Sequence, residues 1–260
     1  MLEIGDTFSR NLGLENDAKS AVFDLDGETF RRDLRIRHER KSTDDNAFTI
    51  VKTNNHLNLY HYLKKSQPKS IVEVGYFEGG SSVFIDKLYK PNSLTCIDNR
   101  KTRVPQVDEY IGRNHRQDEM RVLHDFDQGD VEKLRSITSE FHPEGIDIVF
   151  DDASHLYDLT KATMSVLFPK LNPGGYYVLE DYGWVHSNGF QSADHPWSNL
   201  SGISTLVHEL IAVLARGSNI ISNIYIEADV CVIQKGYTNV SDPFEPTAHL
   251  VSRGKPLPIL

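Results

Sequence analysis

The chain has 260 residues, 28 Lys+Arg against 37 Asp+Glu, a formal net charge of −9 and a pI near 5.6. That length fits one large domain or two small ones, with enough chain to bury a sizeable core. The acidic balance argues against nonspecific association with nucleic acid or an anionic membrane, because both favour a positive face.

With 39% hydrophobic and 25% charged residues, the composition is that of a soluble globular protein and not a disordered one. Cys96 and Cys231 both lie in apolar runs, which excludes a disulfide framework and a cysteine-rich zinc site. No apolar run approaches the roughly 20 residues that span a bilayer. The N-terminal MLEIGDTFSRNLGLEND has no basic segment followed by an apolar one, so no signal peptide is predicted and the expected location is cytoplasmic.

Residues 1–48 read apart from the rest. Two short runs around Asp26-Gly27 predict a β-hairpin. A basic run follows, with Arg31, Arg32, Arg35, Arg37, Arg40 and Lys41 against Asp33 and Glu39, and reads as a solvated face or subunit contact; the phosphates of a nucleotide-sugar, or an acidic acceptor, would be the functional alternative. The polar KSTDDN closes the segment. It is expected to be an N-terminal extension, serving as lid or oligomerisation arm, with residues 49–260 as the main domain and a homo-oligomer as the assembly.

From residue 49, Ile50, Leu57, Tyr60 and Leu63 fall at helical spacing. SIVEVG is a short buried strand, SSVFIDKLY a helix, SLTCID a second strand, MRVLHD a third and IDIVFDD a fourth. DLTKATMSVLFPKL is a helix with Leu159, Ala162, Val166 and Leu167 on one face. Asn172-Pro173-Gly174-Gly175 is a turn, and YYVLED a fifth strand. ISTLVHELIAVLARG is an amphipathic helix closing at Gly217. IISNIYIEADVCVIQKG reads as two consecutive strands. This alternation predicts an α/β fold with a mostly parallel sheet, helices on both faces and an antiparallel edge hairpin. Ligands in such sheets bind beyond the carboxyl ends of the strands.

The loop after the first of these strands, Glu73-Val74-Gly75-Tyr76-Phe77-Glu78-Gly79-Gly80-Ser81, has glycines spaced G-x-x-x-G-G. That matches neither the dinucleotide fingerprint nor the phosphate loop. Asp98 ends the second strand, where a carboxylate accepts hydrogen bonds from ribose hydroxyls. E-V-G-x-x-x-G-G-S followed by I-D resembles motifs I and II of class I S-adenosylmethionine (SAM)-dependent methyltransferases. The resemblance implies their seven-stranded Rossmann-like fold and assigns Glu73, Gly75, Gly79, Ser81, Asp98 and Asp152 to SAM. It also implies that an acid or amide after the third strand, Asp127 or Gln128, faces the adenine.

IDIVFDDASH and YYVLEDYGW bring Asp151, Asp152, Glu180 and Asp181 to one sheet edge. Clustered carboxylates repel unless a cation or protons intervene. Hard oxygen donors without cysteine point to Mg²⁺, with Mn²⁺ possible. Alternation lets only one of Asp151 and Asp152 face the site. The D-x-x-H … E-D arrangement resembles the metal-dependent sugar O-methyltransferases of the macrocin and mycinamicin type, and the related cephalosporin-hydroxylase-like and rhamnosyl groups. Carried over, Asp152, Glu180 and Asp181 match the metal ligands and His155 the general base. The implied reaction is transfer of the SAM methyl to a sugar hydroxyl of a glycosylated small molecule. Catechol O-methyltransferases, whose ligand set ends in Asp-Asn, are the alternative.

The aromatic stretch after Asp181 starts at these ligands, and Tyr182, Trp184, His186 and Trp197 are candidates to stack on the acceptor. One decoy is AVFDLDGET, which resembles the first motif of haloacid dehalogenase-type phosphatases with Asp24 as nucleophile and Asp26 as acid. Glu28 stands before Thr29 there, a departure from that motif, and a hairpin explains the same residues.

Overall fold

Asp26 and Gly27 both take the left-handed backbone (φ +49° and +83°) that a two-residue hairpin turn needs. They join β1 (Ser20–Leu25) to β2 (Glu28–Asp33) as the sequence predicts. The computed structural model describes residues 4–15 and 18–256. The chain forms two units, the first comprising the residues up to Lys69 with Tyr76–Asp125, the second Ser70–Gly75 with the residues from Phe126 onward.

In the first unit, α1 is Thr7–Asn11, and β3 (Phe48–Ile50) pairs in parallel with β2 to complete a three-stranded sheet. Ile50 therefore belongs to a strand, not to the helix its spacing suggested. The helix itself, α2, is Asn54–Leu63, and the Thr53 side chain caps it by accepting from the His56 N–H. Its Tyr60 packs on Phe84, which also meets Phe8, Phe23 and Phe30 at ring-centroid distances of 5.6–6.4 Å. Phe84 belongs to helix α3 (Gly80–Tyr89). The unit also contains β5 (Ser93–Ile97), α4 (Pro105–Arg113) and β6 (Met120–Leu123), preceded in order by β4 of the second unit.

The basic run is not one solvated face. Arg32 is fully buried; its guanidinium donates to the Asn54 Oδ1 and to the carbonyls of Glu15 (3.0 Å) and Ala18 (2.7 Å). Arg31 is held by the Ser42 carbonyl and Asp44, and Arg35 by Asp33, whose carboxyl is drawn well below the usual range by that contact. Arg37 and Lys41 remain exposed. Asp24 accepts from the Thr29 hydroxyl and Asp26 pairs with Lys90, so the phosphatase-like residues are those of a hairpin.

In the second unit, β4 (Ser70–Val74) pairs in parallel with β7 (Ile146–Asp151), and β7 with β8 (Leu171–Glu180). β8 then pairs antiparallel with β10 (Val230–Lys235), and β10 with β9 (Ile221–Ile226). The full strand order is β6-β5-β4-β7-β8-β10-β9, the expected mostly parallel seven-stranded sheet with an antiparallel edge hairpin. Residues 172–175 lie within β8 as an irregularity, with Gly174 at φ +82°, rather than as a separate turn.

Helices α5 (Val131–Phe141), α6 (Tyr157–Lys170) and α7 (Ile203–Ala215) complete this unit. Only Val166 and Leu167 of the predicted α6 face are buried; the covered stripe also takes in Tyr157, Thr160 and Met164. Buried Lys235 donates to the carbonyls of Pro169 and Leu171, satisfying backbone groups that the end of α6 frees. No helix among the described residues is long and apolar enough to cross a membrane.

Candidate active site

Strand register builds the site. Val74 lies opposite Asp151, and Asp151 opposite Leu179, so the carboxyl ends of β4, β7 and β8 come level with one another. The residues just past them are Gly75, Asp152 and Glu180. The Asp152 N–H donates to the Val74 carbonyl at 2.8 Å, carrying the pairing one residue further.

Gly75 has φ +90°, and a Cβ there would stand 2.1 Å from the Asp152 carbonyl oxygen and 2.7 Å from the Ala153 Cα. No side chain fits against backbone that close. Gly75 is therefore glycine because the β4 loop presses on the loop that presents Asp152.

Alternation separates the two neighbouring aspartates. Asp151 points into the core, where the Tyr177 hydroxyl donates to its Oδ2 at 2.5 Å. Burial pushes its pKa up to about 7, with the charges of Asp152 and Glu180 adding to the rise against the Tyr177 bond. Asp152 points out. Its Oδ1 lies 3.7 Å from the His155 Nε2, and ligand atoms of Asp152, His155 and Asp181 all fall within 4.8 Å of one another.

All three residues are half-buried. His155 (φ +55°) and Asp181 (φ +56°) both hold left-handed backbone, which costs a non-glycine residue on the order of 1 kcal/mol each. Two carboxylate oxygens and an imidazole nitrogen make a donor set suited to a hard divalent cation such as Mg²⁺, which takes one or two carboxylates and keeps water in its remaining positions.

Glu180 is not in that group. It is buried at the end of β8, opposite Val230 of β10, and acts on Asp151.

Around the group, side chains fix the loops. The Gln128 carboxamide accepts from the Ser154 N–H at 3.0 Å and donates to the Thr163 hydroxyl at 2.9 Å, tying the Asp152–His155 loop to α6. Asp127 sits beside it in a turn, accepting from the Gly129 N–H. Glu73 is buried within β4. Tyr157, two residues past His155, donates to Glu209 of α7 at 2.5 Å, with Lys161 at 2.8 Å from the Tyr157 oxygen.

After Asp181, the Tyr182 hydroxyl donates to the Glu227 carbonyl at 2.8 Å, and the His186 Nε2 lies 3.0 Å from the Ser204 hydroxyl. Those two side chains thus anchor their loop. Trp184 lies on His155, and Trp197 stacks on Phe190, a ring absent from the sequence-derived candidates. A lone phenylalanine in a polar stretch carries no signal of its own.

In the first unit, the Asp98 carboxylate accepts from the Phe77 N–H at 2.7 Å and the Arg100 N–H at 2.8 Å, and the Arg100 guanidinium donates to the Phe77 carbonyl. The second-strand acid is thus coupled to the glycine loop through Phe77, itself at φ +47°. Gly79 directly precedes α3, and Ser81 is buried in its first turn.

Residues 72–182 match the family described as a methyltransferase domain. Over 134 residues the chain is 45% identical to the 8-demethyl-8-alpha-L-rhamnosyl tetracenomycin-C 2'-O-methyltransferase of Streptomyces olivaceus, covering 48% of this chain and 31% of that protein. Over 70 residues it is 39% identical to the mycinamicin VI 2''-O-methyltransferase of Micromonospora griseorubida, covering 27% of this chain and 17% of that protein. The solved structure of the MycE methyltransferase from the mycinamycin biosynthetic pathway, in complex with Mg, SAH and mycinamycin VI, matches with a TM-score of 0.54 at 23% identity, over 72% of this chain and 50% of that one. The chain thus spans less than a third of these curated relatives and half of the solved structure. Residues 72–182 thus resemble a methyltransferase domain, the fold is similar to that of the mycinamycin-pathway enzyme, and the sequence is similar to O-methyltransferases named for rhamnosyl tetracenomycin and mycinamicin.

Proposed function

We propose that the protein is a Mg²⁺-dependent O-methyltransferase that moves the methyl group of SAM to a sugar hydroxyl of a glycosylated small molecule. The observation that carries this is the meeting of Asp152, His155 and Asp181 at the level ends of adjacent strands in a methyltransferase domain. The acceptor class is drawn from the relatives, which are named for rhamnosyl tetracenomycin and mycinamicin methylation.

SAM supplies an electrophilic methyl group on a sulfonium, and a bound Mg²⁺ supplies a positive charge that lowers the pKa of a nearby hydroxyl. Asp152 and Asp181 would hold the cation; Glu180 joins the set by the sequence pattern alone, its side chain being buried at the end of β8. SAM is assigned, from the motif, to Glu73, Gly75, Gly79, Ser81, Asp98 and Asp127, with Asp152 at the edge of both sets. Gln128 is the weaker adenine candidate because both ends of its carboxamide already hold the loop.

His155 accepts the hydroxyl proton at an imidazole nitrogen as the acceptor oxygen takes the methyl group. Its place among the donor atoms favours one second reading, in which it ligates the cation itself.

The test is methyl transfer from labelled SAM to a rhamnosylated or macrolide glycoside, with and without EDTA. Activity lost in EDTA and restored by Mg²⁺ is the expected result; undiminished turnover in EDTA overturns the metal role. His155→Gln separates its two roles. A base variant loses kcat and binds Mg²⁺ as before, whereas a ligand variant loses both.

A further inference from the structure

We infer that Trp184 is the positioning residue for His155, and that Phe190 and Trp197 buttress it in a continuous run of rings; the inference rests on His155 being the base. The Trp184 and His155 ring centroids are 4.3 Å apart, with planes tilted 40°. Phe190 lies 5.8 Å beyond Trp184 at 27°, and Trp197 6.0 Å beyond Phe190 at 18°. His195 closes on the last two, 5.0 Å from Phe190 and 5.6 Å from Trp197.

The run begins at the catalytic group. Trp184 is three residues past Asp181, and its N–H donates to the Asp181 carbonyl at 3.2 Å. The turn that sets Asp181 beside Asp152 therefore also lays Trp184 on the imidazole. With one ring face covered, the imidazole keeps its Nε2 directed at the Asp152 carboxylate, 3.7 Å away.

The loop that delivers these rings is pinned at several points. The Gln191 carboxamide donates to the Val185 carbonyl, and His186 meets Ser204. Gly202 lets Val185 approach so closely that a Cβ there would lie 2.6 Å from a Val185 methyl. Trp184 and Trp197 remain 41% and 40% exposed, so burial alone does not account for the placement of these large rings. Aromatic rings on one another prefer offset or tilted contacts at these separations, and the run puts such contacts in series up to the base. A base displaced by an ångström loses on the order of 10²-fold in rate.

Two readouts on the whole chain test this. In steady-state methyl transfer, Trp184→Ala is expected to lower kcat by about 10- to 100-fold with acceptor KM within about threefold. Trp184→Phe, which keeps a ring, recovers most of the loss, and Phe190→Ala gives a smaller kcat effect of about threefold. In NMR spectra of the imidazole carbon-bound protons, assigned by the resonance missing in His155→Gln, the His155 signals lie upfield through the Trp184 ring current. They move downfield in Trp184→Ala and stay near their original position in Trp184→Phe. An acceptor KM that rises with kcat intact overturns the inference and makes Trp184 an acceptor-stacking residue. A His155 signal unmoved by Trp184→Ala overturns it as well. Full activity in His155→Gln would instead overturn the base role, and the NMR comparison would still decide whether Trp184 sets the ring.

Discussion

Two acid-rich regions of this molecule are built on opposite rules. In the N-terminal hairpin and the segment after it, four carboxylates meet cations: Asp26 faces Lys90, Glu28 faces Lys87 and Arg113, Asp33 faces Arg35 and Asp44 faces Arg31. At the ends of β7 and β8, acids meet acids. Asp151 is pushed up to about 7 by burial, with Asp152 and Glu180 adding to it, and Asp181 closes on Asp152. Charge distributed as pairs holds a fold together. Charge gathered in one sign stores unfavourable energy that a cation relieves. On the proposed function, the strand ends are the working region and the basic N-terminal run is scaffold.

The largest test of that contrast is at the strand ends. Asp152→Ala and Asp181→Ala are expected to reduce methyl transfer by at least about 10³-fold, through loss of the cation's charge at the reacting hydroxyl. SAM affinity, measured by calorimetry, should stay within a few-fold, whereas Asp98→Ala should weaken SAM itself. If Asp152→Ala keeps most of the activity, the acid cluster is not the working region.

Gly75→Ala follows. A Cβ driven into the Asp152 backbone at φ +90° is expected to destabilise the protein by roughly 3 kcal/mol or more, seen as a drop in the urea midpoint. On the scaffold side, Arg32→Ala removes the buried guanidinium that donates to the Asn54 side chain and to the Glu15 and Ala18 carbonyls and is expected to cost a similar ~3 kcal/mol. The distinguishing outcome is that Arg32→Ala lowers the melting temperature with little change in kcat per folded molecule. Asp44→Ala, which breaks a partly exposed pair, should change stability by less than about 1 kcal/mol.

A separate effect is in pH. Burial lowers the pKa of His142 to about 4, with its Nδ1 2.7 Å from the Ser70 hydroxyl. Between about 6.5 and 4 the unfolded chain binds a proton at this residue that the folded one does not. Stability should therefore fall as pH drops through that window, by about 3 kcal/mol in all. His142→Gln should flatten that part of the pH–stability curve and leave the strand-end acids untouched.

Much of this arrangement is legible in the sequence. The strand IDIVFDD, the strand YYVLED and the glycine loop fall where alternating apolar pattern and turn chemistry place them. Helices α4 and α5 are absent from that reading because both are short and bury only two residues each, which leaves their apolar stripe too thin to detect. Ile50 was misplaced because a three-residue strand has no period to read.

By itself, the sequence determined the order of the strands of the main sheet and of most of its helices, the clustering of acids at strand ends and the hairpin at Asp26-Gly27. Those follow from residue spacing, which is local. Only the tertiary structure decided which acid faces which way. Asp151 turns inward because Tyr177 waits for it on the neighbouring strand, Asp181 joins Asp152 through left-handed backbone while Glu180 stays in the sheet, and Gly75 answers to the backbone of residues 152 and 153. Each of these is a contact between segments distant in the chain. Its direction is set by packing, which residue spacing does not encode.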